Sequence, residues 1–210
     1  MLGSYQDARA HCGQALELYR QLGDRAGQGL AHADLGMVFD AMGRHEEALA
    51  HDMHALELHR SVGNRSREAV GLNNVGWCYA QLGDYQQALV YCEQALALYQ
   101  ELGDRNGEAS AWDSVGYARH HLGQYPEAIA CYQQALALSR ELGDRFSHAE
   151  FLIHLGDSHD AGGQPFAARQ AWQQALDILD DLDHPRADEI LARLRPDAPA
   201  RRGDGAPPAL

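Results

Sequence analysis

The sequence predicts an all-α fold, a right-handed α-solenoid of antiparallel helix pairs. Three observations carry that expectation. The 210-residue chain repeats itself every 40 residues without an insertion. Gly recurs at fixed places in the repeat. Between those places, apolar residues follow the three-to-four spacing of a helix face.

The period is visible in Gln21-Leu22-Gly23-Asp24-Arg25, Ser61-Val62-Gly63-Asn64-Arg65, Glu101-Leu102-Gly103-Asp104-Arg105 and Glu141-Leu142-Gly143-Asp144-Arg145. The pairs Leu35-Gly36, Val75-Gly76, Val115-Gly116 and Leu155-Gly156 keep the same register. So do Gly3, Gly43, Gly83, Gly123 and Gly163. Gly inside a helix costs roughly 1 kcal/mol, so this many Gly in a helical chain must have a purpose. Two of the sets fall where turns are needed, and the third where helices approach closely.

Residues 1–20 read as the second helix of a block: Tyr5, Ala8, Cys12, Ala15 and Leu16 match Tyr85, Ala88, Cys92, Ala95 and Leu96. Four full blocks follow, over 25–60, 65–100, 105–140 and 145–180. In the third, Asp104 is placed to cap a helix over roughly 105–122, with Ala109, Trp112, Val115 and Ala118 on one face. Gly123 ends it. A second helix starts near Tyr125, with Pro126 tolerated in its first turn, and runs to about Leu142. Neither stripe is wide enough to bury itself alone, so each helix must stack on its neighbours. Asp183-His184-Pro185 opens a capping helix within 185–195. Residues 196–210, rich in Pro, Ala and Gly, read as a disordered tail.

The formal net charge is −13, and all 17 basic residues are Arg. An acidic chain does not suit direct nucleic-acid contact. The lack of Lys excludes a Walker-type phosphate loop and a Schiff-base or pyridoxal-phosphate lysine. No apolar run approaches the ~20 residues of a membrane span, and the first residues do not read as a secretory signal. The four Cys form no Cys-x-x-Cys pair, which fits reduced thiols in a cytoplasmic protein.

These blocks resemble tetratricopeptide repeats, whose pattern is a Leu-Gly pair and an aromatic in the first helix, then two Ala seven apart in the second. Here that reads Val75-Gly76, Tyr79, Ala88 and Ala95, with Leu35-Gly36, Phe39, Ala48 and Ala55 in the block before. Arg119 and His159 replace the aromatic. Asp52 stands where Cys12, Cys92, Tyr132 and Trp172 stand, which predicts a looser second block. The 40-residue form ending in Leu-Gly-Asp-Arg is similar to the C-terminal repeat region of actinobacterial antibiotic-regulatory-type transcription activators. That resemblance implies the regulatory or interaction region of a bacterial transcription regulator. The upstream DNA-binding and nucleotide-binding domains have no counterpart here.

The resemblance also implies that first helices line a concave groove. The inward positions then include Met37, Asn73, Trp77, Asp113, Tyr117, His120, Asp157 and Asp160. An apolar-to-aromatic stripe, Met37-Trp77-Tyr117, flanked by acids suits a peptide with apolar anchors and basic flanks. Trp77 and Tyr117 could equally be packing between repeats, and the acids ordinary solvated surface. Two further readings stand beside this one: a signalling-peptide receptor, and a homodimer formed through residues 1–20. His51 and His54 share a helix face, as do His154, Asp157 and Asp160, but neither set has the spacing of a metal motif. No metal or cofactor is expected. The candidate nucleophiles lie inside helix patterns without a triad, which points to a non-enzymatic protein.

Overall fold

The computed structural model describes residues 2–195. The tail 196–210 lies outside the described residues, as does its Arg202-Gly203-Asp204 tripeptide. Among the described residues the chain forms ten helices and no strand: α1 Leu2–Leu22, α2 Arg25–Ala41, α3 His45–Ser61, α4 Arg65–Gln81, α5 Tyr85–Leu102, α6 Arg105–His121, α7 Tyr125–Leu142, α8 Arg145–Ala161, α9 Pro165–Asp181 and α10 Arg186–Leu194. Each helix packs on the next in sequence. The result is an α-solenoid of four helix pairs, preceded by the single helix α1 and closed by the short α10.

The turns follow from residue chemistry. Gly103 ends α5 in the left-handed region at φ 69°, a conformation that costs other residues a Cβ clash. Asp104 is then extended, and its carboxylate accepts from the backbone N–H of Gly107. That bond satisfies a donor the first helical turn would otherwise leave unpaired. Asp24, Asn64, Asp84 and Asp144 cap their helices in the same way. Gly3 departs from the turn set, because it lies within α1.

The helix-interior Gly set up the pairs. Gly76 faces Cys92, Gly116 faces Tyr132 and Gly156 faces Trp172, each so closely that an added Cβ would collide with the partner side chain. The opposing Ala48, Ala88, Ala128 and Ala168 are fully buried. Small residues on both helices let the backbones approach, and the larger side chains then fill the space beside them. Leu56, Val75, Val115, Ile153 and Leu179 carry the core from pair to pair. Ile190 of α10 is also fully buried and seals the far end against the last pair.

The second block is not loose. α2 packs on α3 as extensively as its counterparts pack elsewhere. Asp52 is only 3% exposed and lies against Gly36 in the place taken by Cys92 against Gly76. Carboxylate and thiol have similar bulk, so the packing survives and the cost is electrostatic instead.

First helices also touch across repeats, α4 on α6 and α6 on α8. They therefore crowd the inner side of the stack, while α3, α5, α7 and α9 spread over the outer side. A ladder of ion pairs runs along one edge, where the opening Arg of a first helix meets an acid 36 residues on. Arg65 reaches Glu101 at 2.5 Å, Arg105 reaches Glu141 at 2.8 Å and Arg145 reaches Asp181 at 2.7 Å. All are exposed, so each contributes little alone.

Candidate functional site: the inner face

The inner face centres on an aromatic and imidazole cluster. Trp77 of α4 and Tyr117 of α6 sit one repeat apart at the same register, so stacking the first helices brings their rings to 5.2 Å. Tyr117 also meets His121 at 4.4 Å, and His121 stacks flat on Tyr85 at 4.7 Å. His120 approaches His121 and Tyr125 edge-on. Trp77 and Tyr117 are half-buried. They are thus both packing and surface, the two readings the sequence left open.

Of the predicted groove residues, Met37 is 64% exposed on α2. Asn73 is half-buried on α4, and its Oδ1 is buried without a hydrogen-bond partner. Asp113 on α6 accepts from His154 Nδ1 on α8 at 2.7 Å. Burial pulls the His154 pKa down, but the adjacent carboxylate outweighs it, and the net shift is upward. His120 Nδ1 lies 2.8 Å from Ser158 Oγ, and burial lowers the pKa of this imidazole. Asp157 accepts from Trp172 Nε1 at 3.1 Å and from Arg193 of α10 at 2.6 Å. Asp160 is exposed.

The structure therefore brings Trp77, Tyr117, Asp113 and His120 into one region and commits two of the acids to partners inside the protein. Glu150 is likewise bonded to Arg186. Asp160 is the predicted groove acid that faces solvent. Sequence reasoning missed the pairing of Tyr85 with His121. Their contact joins the start of α5, after the turn at Leu82, to the end of α6, before the turn at Leu122.

A second cluster was only half visible in the sequence. His51 and His54 share a face of α3, and folding adds His32 from α2, whose Nδ1 lies 2.9 Å from that of His51. Burial first, and then the neighbouring imidazoles, push the His32 pKa down to about 4. One ring of the pair therefore donates and the other accepts. Among the described residues no group of three or more His, Cys, Asp or Glu is arranged to hold a metal ion. No described helix is long and apolar enough to cross a membrane.

A quasi-linear stack of helix pairs joined through small residues defines an α-solenoid protein-interaction scaffold. The particular family follows from the repeat itself. A tetratricopeptide repeat model matches residues 1–61, 34–101 and 107–181, and the chain belongs to the tetratricopeptide repeat family. Comparison with curated protein sequences finds no match.

Solved structures share the fold. BtubC (BKLC) from P. vanneervenii is 22% identical with a TM-score of 0.75, covering 88% of this chain and 77% of its own. A STAND protein (signal transduction ATPase with numerous domains) from Pyrococcus horikoshii, with a tetratricopeptide repeat sensor, is 19% identical with a TM-score of 0.75. That match covers 92% of this chain and 31% of the other. A Rap protein complexed with competence and sporulation factor is 21% identical with a TM-score of 0.66, covering 90% of this chain and 58% of its own. At these identities the likeness is one of fold.

Proposed function

We propose that this chain is a non-enzymatic, cytoplasmic peptide-reading module, the regulatory or interaction region of a bacterial transcription regulator. A partner segment docks on the inner face, with Trp77 and Tyr117 as apolar anchors beside Met37, and with basic flanks drawn by the acidic rim. The observation that carries this reading is the Trp77–Tyr117 pair, half-buried at matching positions on adjacent first helices. The fold likeness to a STAND protein's repeat sensor supports the regulatory part.

The test uses fluorescence anisotropy with labelled peptides carrying a central Leu or Phe anchor and either Arg or Glu flanks. Binding of the Arg-flanked peptide, weakened about tenfold or more by Trp77→Ala and weakened less by Asp160→Arg, is the expected result. Asp160 is the right charge to change, because replacing Asp113 would also strand the buried His154. Equal binding of both peptides, or indifference to Trp77→Ala, refutes the reading.

A second reading, a signalling-peptide receptor, draws on the fold likeness to a Rap protein solved with its peptide factor. It uses the same face and differs in its outcome: the peptide would change the superhelix, measured as a change in scattering radius on binding. A third reading, homodimerisation through residues 1–20, draws on exposed Leu18 of α1. A strict monomer in light scattering refutes it.

A further inference from the structure

The outer face holds a feature that the peptide-reading proposal does not use. Two adjoining open cavities, about 250 and 220 Å³, lie between α7 and α9 over α8. Arg140 near the end of α7 and His148 in the second turn of α8 line both. The first has a mainly apolar lining that includes Ile178, and the second adds Leu152 and Leu155 among polar residues.

The repeat shows what is unusual here. At the positions eight apart that bridge a second helix to the next first helix, the two middle places are closed by an acid, while the first pairs Arg20 in register with Gln28. Arg60 bonds Glu68 at 2.8 Å, and Gln100 bonds Glu108 at 3.1 Å. At the fourth such place His148 stands where the two middle places carry Glu, and Arg140 faces an imidazole instead of a carboxylate. An oxyanion brought from outside would supply the acid that Glu68 and Glu108 provide internally.

The local chemistry prepares His148 for that role. Ser139 Oγ donates to the Leu136 carbonyl at 3.2 Å and lies 2.8 Å from His148 Nδ1. In the tautomer in which Ser139 donates to the Leu136 carbonyl, Nδ1–H donates to Oγ and Nε2 is left free of that bond. Protonation turns Nε2 into a donor. The charges around it are few. Arg140 on α7 is the charge that weighs on His148, lowering its pKa after burial. Asp144 is occupied by the backbone N–H and hydroxyl of Ser147. Arg145 is held by Asp181. His159 is bonded to Gln164, and α9 presents the neutral Gln170 and Gln174.

We propose that this outer cleft is a second binding site, for an oxyanion-headed amphiphile whose carboxylate or phosphate sits on Arg140 and His148 and whose apolar body lies along Leu152 and Ile178. It is separate from the inner face, because its lining comes from α7, α8, α9 and the turn between α7 and α8 and includes none of the inner-face aromatics.

The experiment is calorimetric titration of the full chain with octanoate, octyl phosphate and octyltrimethylammonium, with amide NMR shifts to locate binding. Saturable binding of octanoate or octyl phosphate is expected, with shifts centred on Arg140, His148 and Gln170. The tighter of the two names the head group. Arg140→Gln should weaken it about tenfold or more, the loss of one charge-assisted hydrogen bond. His148→Glu, which rebuilds the Arg–Glu pair of the earlier repeat, should abolish it while leaving the helical circular dichroism intact. Because burial and Arg140 hold the His148 pKa below 6.5, octanoate affinity should rise as pH falls below 7 in the native chain, and not in His148→Gln. The proposal is overturned if octyltrimethylammonium binds the cleft equally well, if both variants bind like the native chain, or if neither anion binds there. None of these results bears on peptide binding at Trp77.

Discussion

Replacing Asp52 with Cys should stabilise the protein, and the gain should depend on pH. Asp52 is buried at 3% exposure, and its Oδ1 has no hydrogen-bond partner. Its other oxygen lies 3.5 Å from Cys78 Sγ. Burial raises its pKa from 3.8 to about 7 against the smaller opposing effects of bonds from Cys78 and Asn74. At 1.36 kcal/mol per pH unit, that difference penalises the ionised folded state by about 4 kcal/mol. The sign follows from proton linkage. The folded chain holds this proton more tightly than the unfolded chain, so the penalty is absent below 3.8, grows as pH rises, and is complete above about 7. Cys fits the space, since Cys92 occupies the matching place against Gly76. Burial pushes the Cys92 thiol up to about 12, so the replacement stays neutral. Urea denaturation of native and variant chains at pH 5 and pH 8 measures the effect. The gain should be about 4 kcal/mol at pH 8 and less than half of that at pH 5. An equal gain at both pH values would refute the electrostatic argument, and a loss at pH 8 would refute the packing argument.

Five further outcomes are expected. Gly156→Ala should destabilise by about 1–3 kcal/mol, because its Cβ would collide with the Trp172 indole; Gly13→Ala, with nothing near its Cβ, should stabilise α1 by about 0.5–1 kcal/mol, both read from thermal midpoints. Asp144→Ala should cost about 1 kcal/mol through the lost helix cap, and because bonds from Ser147 lower the Asp144 pKa, the native advantage should fade as pH drops through that value. Arg105→Ala should change stability by no more than about 1 kcal/mol, its ion pair with Glu141 being exposed. Asp113→Asn should cost most below the ordinary His pKa of 6.5, because the His154 pKa is raised in the fold; its effect should vanish as pH rises above that raised value, as denaturation at pH 6 and pH 9 would show.

The repeat made much of the architecture legible without coordinates. A period of 40 with Gly at the turns and Gly opposite Ala in the helices admits few arrangements other than stacked pairs. Asp24, Asp104 and Asp144 could be read as caps because capping is local, involving residues three apart. The candidate sites were legible only in outline. Trp77 and Tyr117 share a register, so their proximity followed from the period. That Asp113 is tied to His154, and Asp157 to Arg193, did not follow. Those bonds depend on side-chain reach between helices and on where α10 lies.

The sequence by itself determined the helix pairs, most of the turns and the stacking order, because backbone propensity, capping and apolar periodicity act over a few residues and repeat. Only the tertiary structure decided which charges meet. It turned Asp52 from a sign of looseness into a buried acid within a full-density pair. It joined His32 to His51. It also left Arg140 opposite His148 where Arg60 and Gln100 close on Glu68 and Glu108. Electrostatic partners are chosen across space, at separations of a few ångströms that the angle between helices sets, and a one-dimensional pattern does not carry that angle.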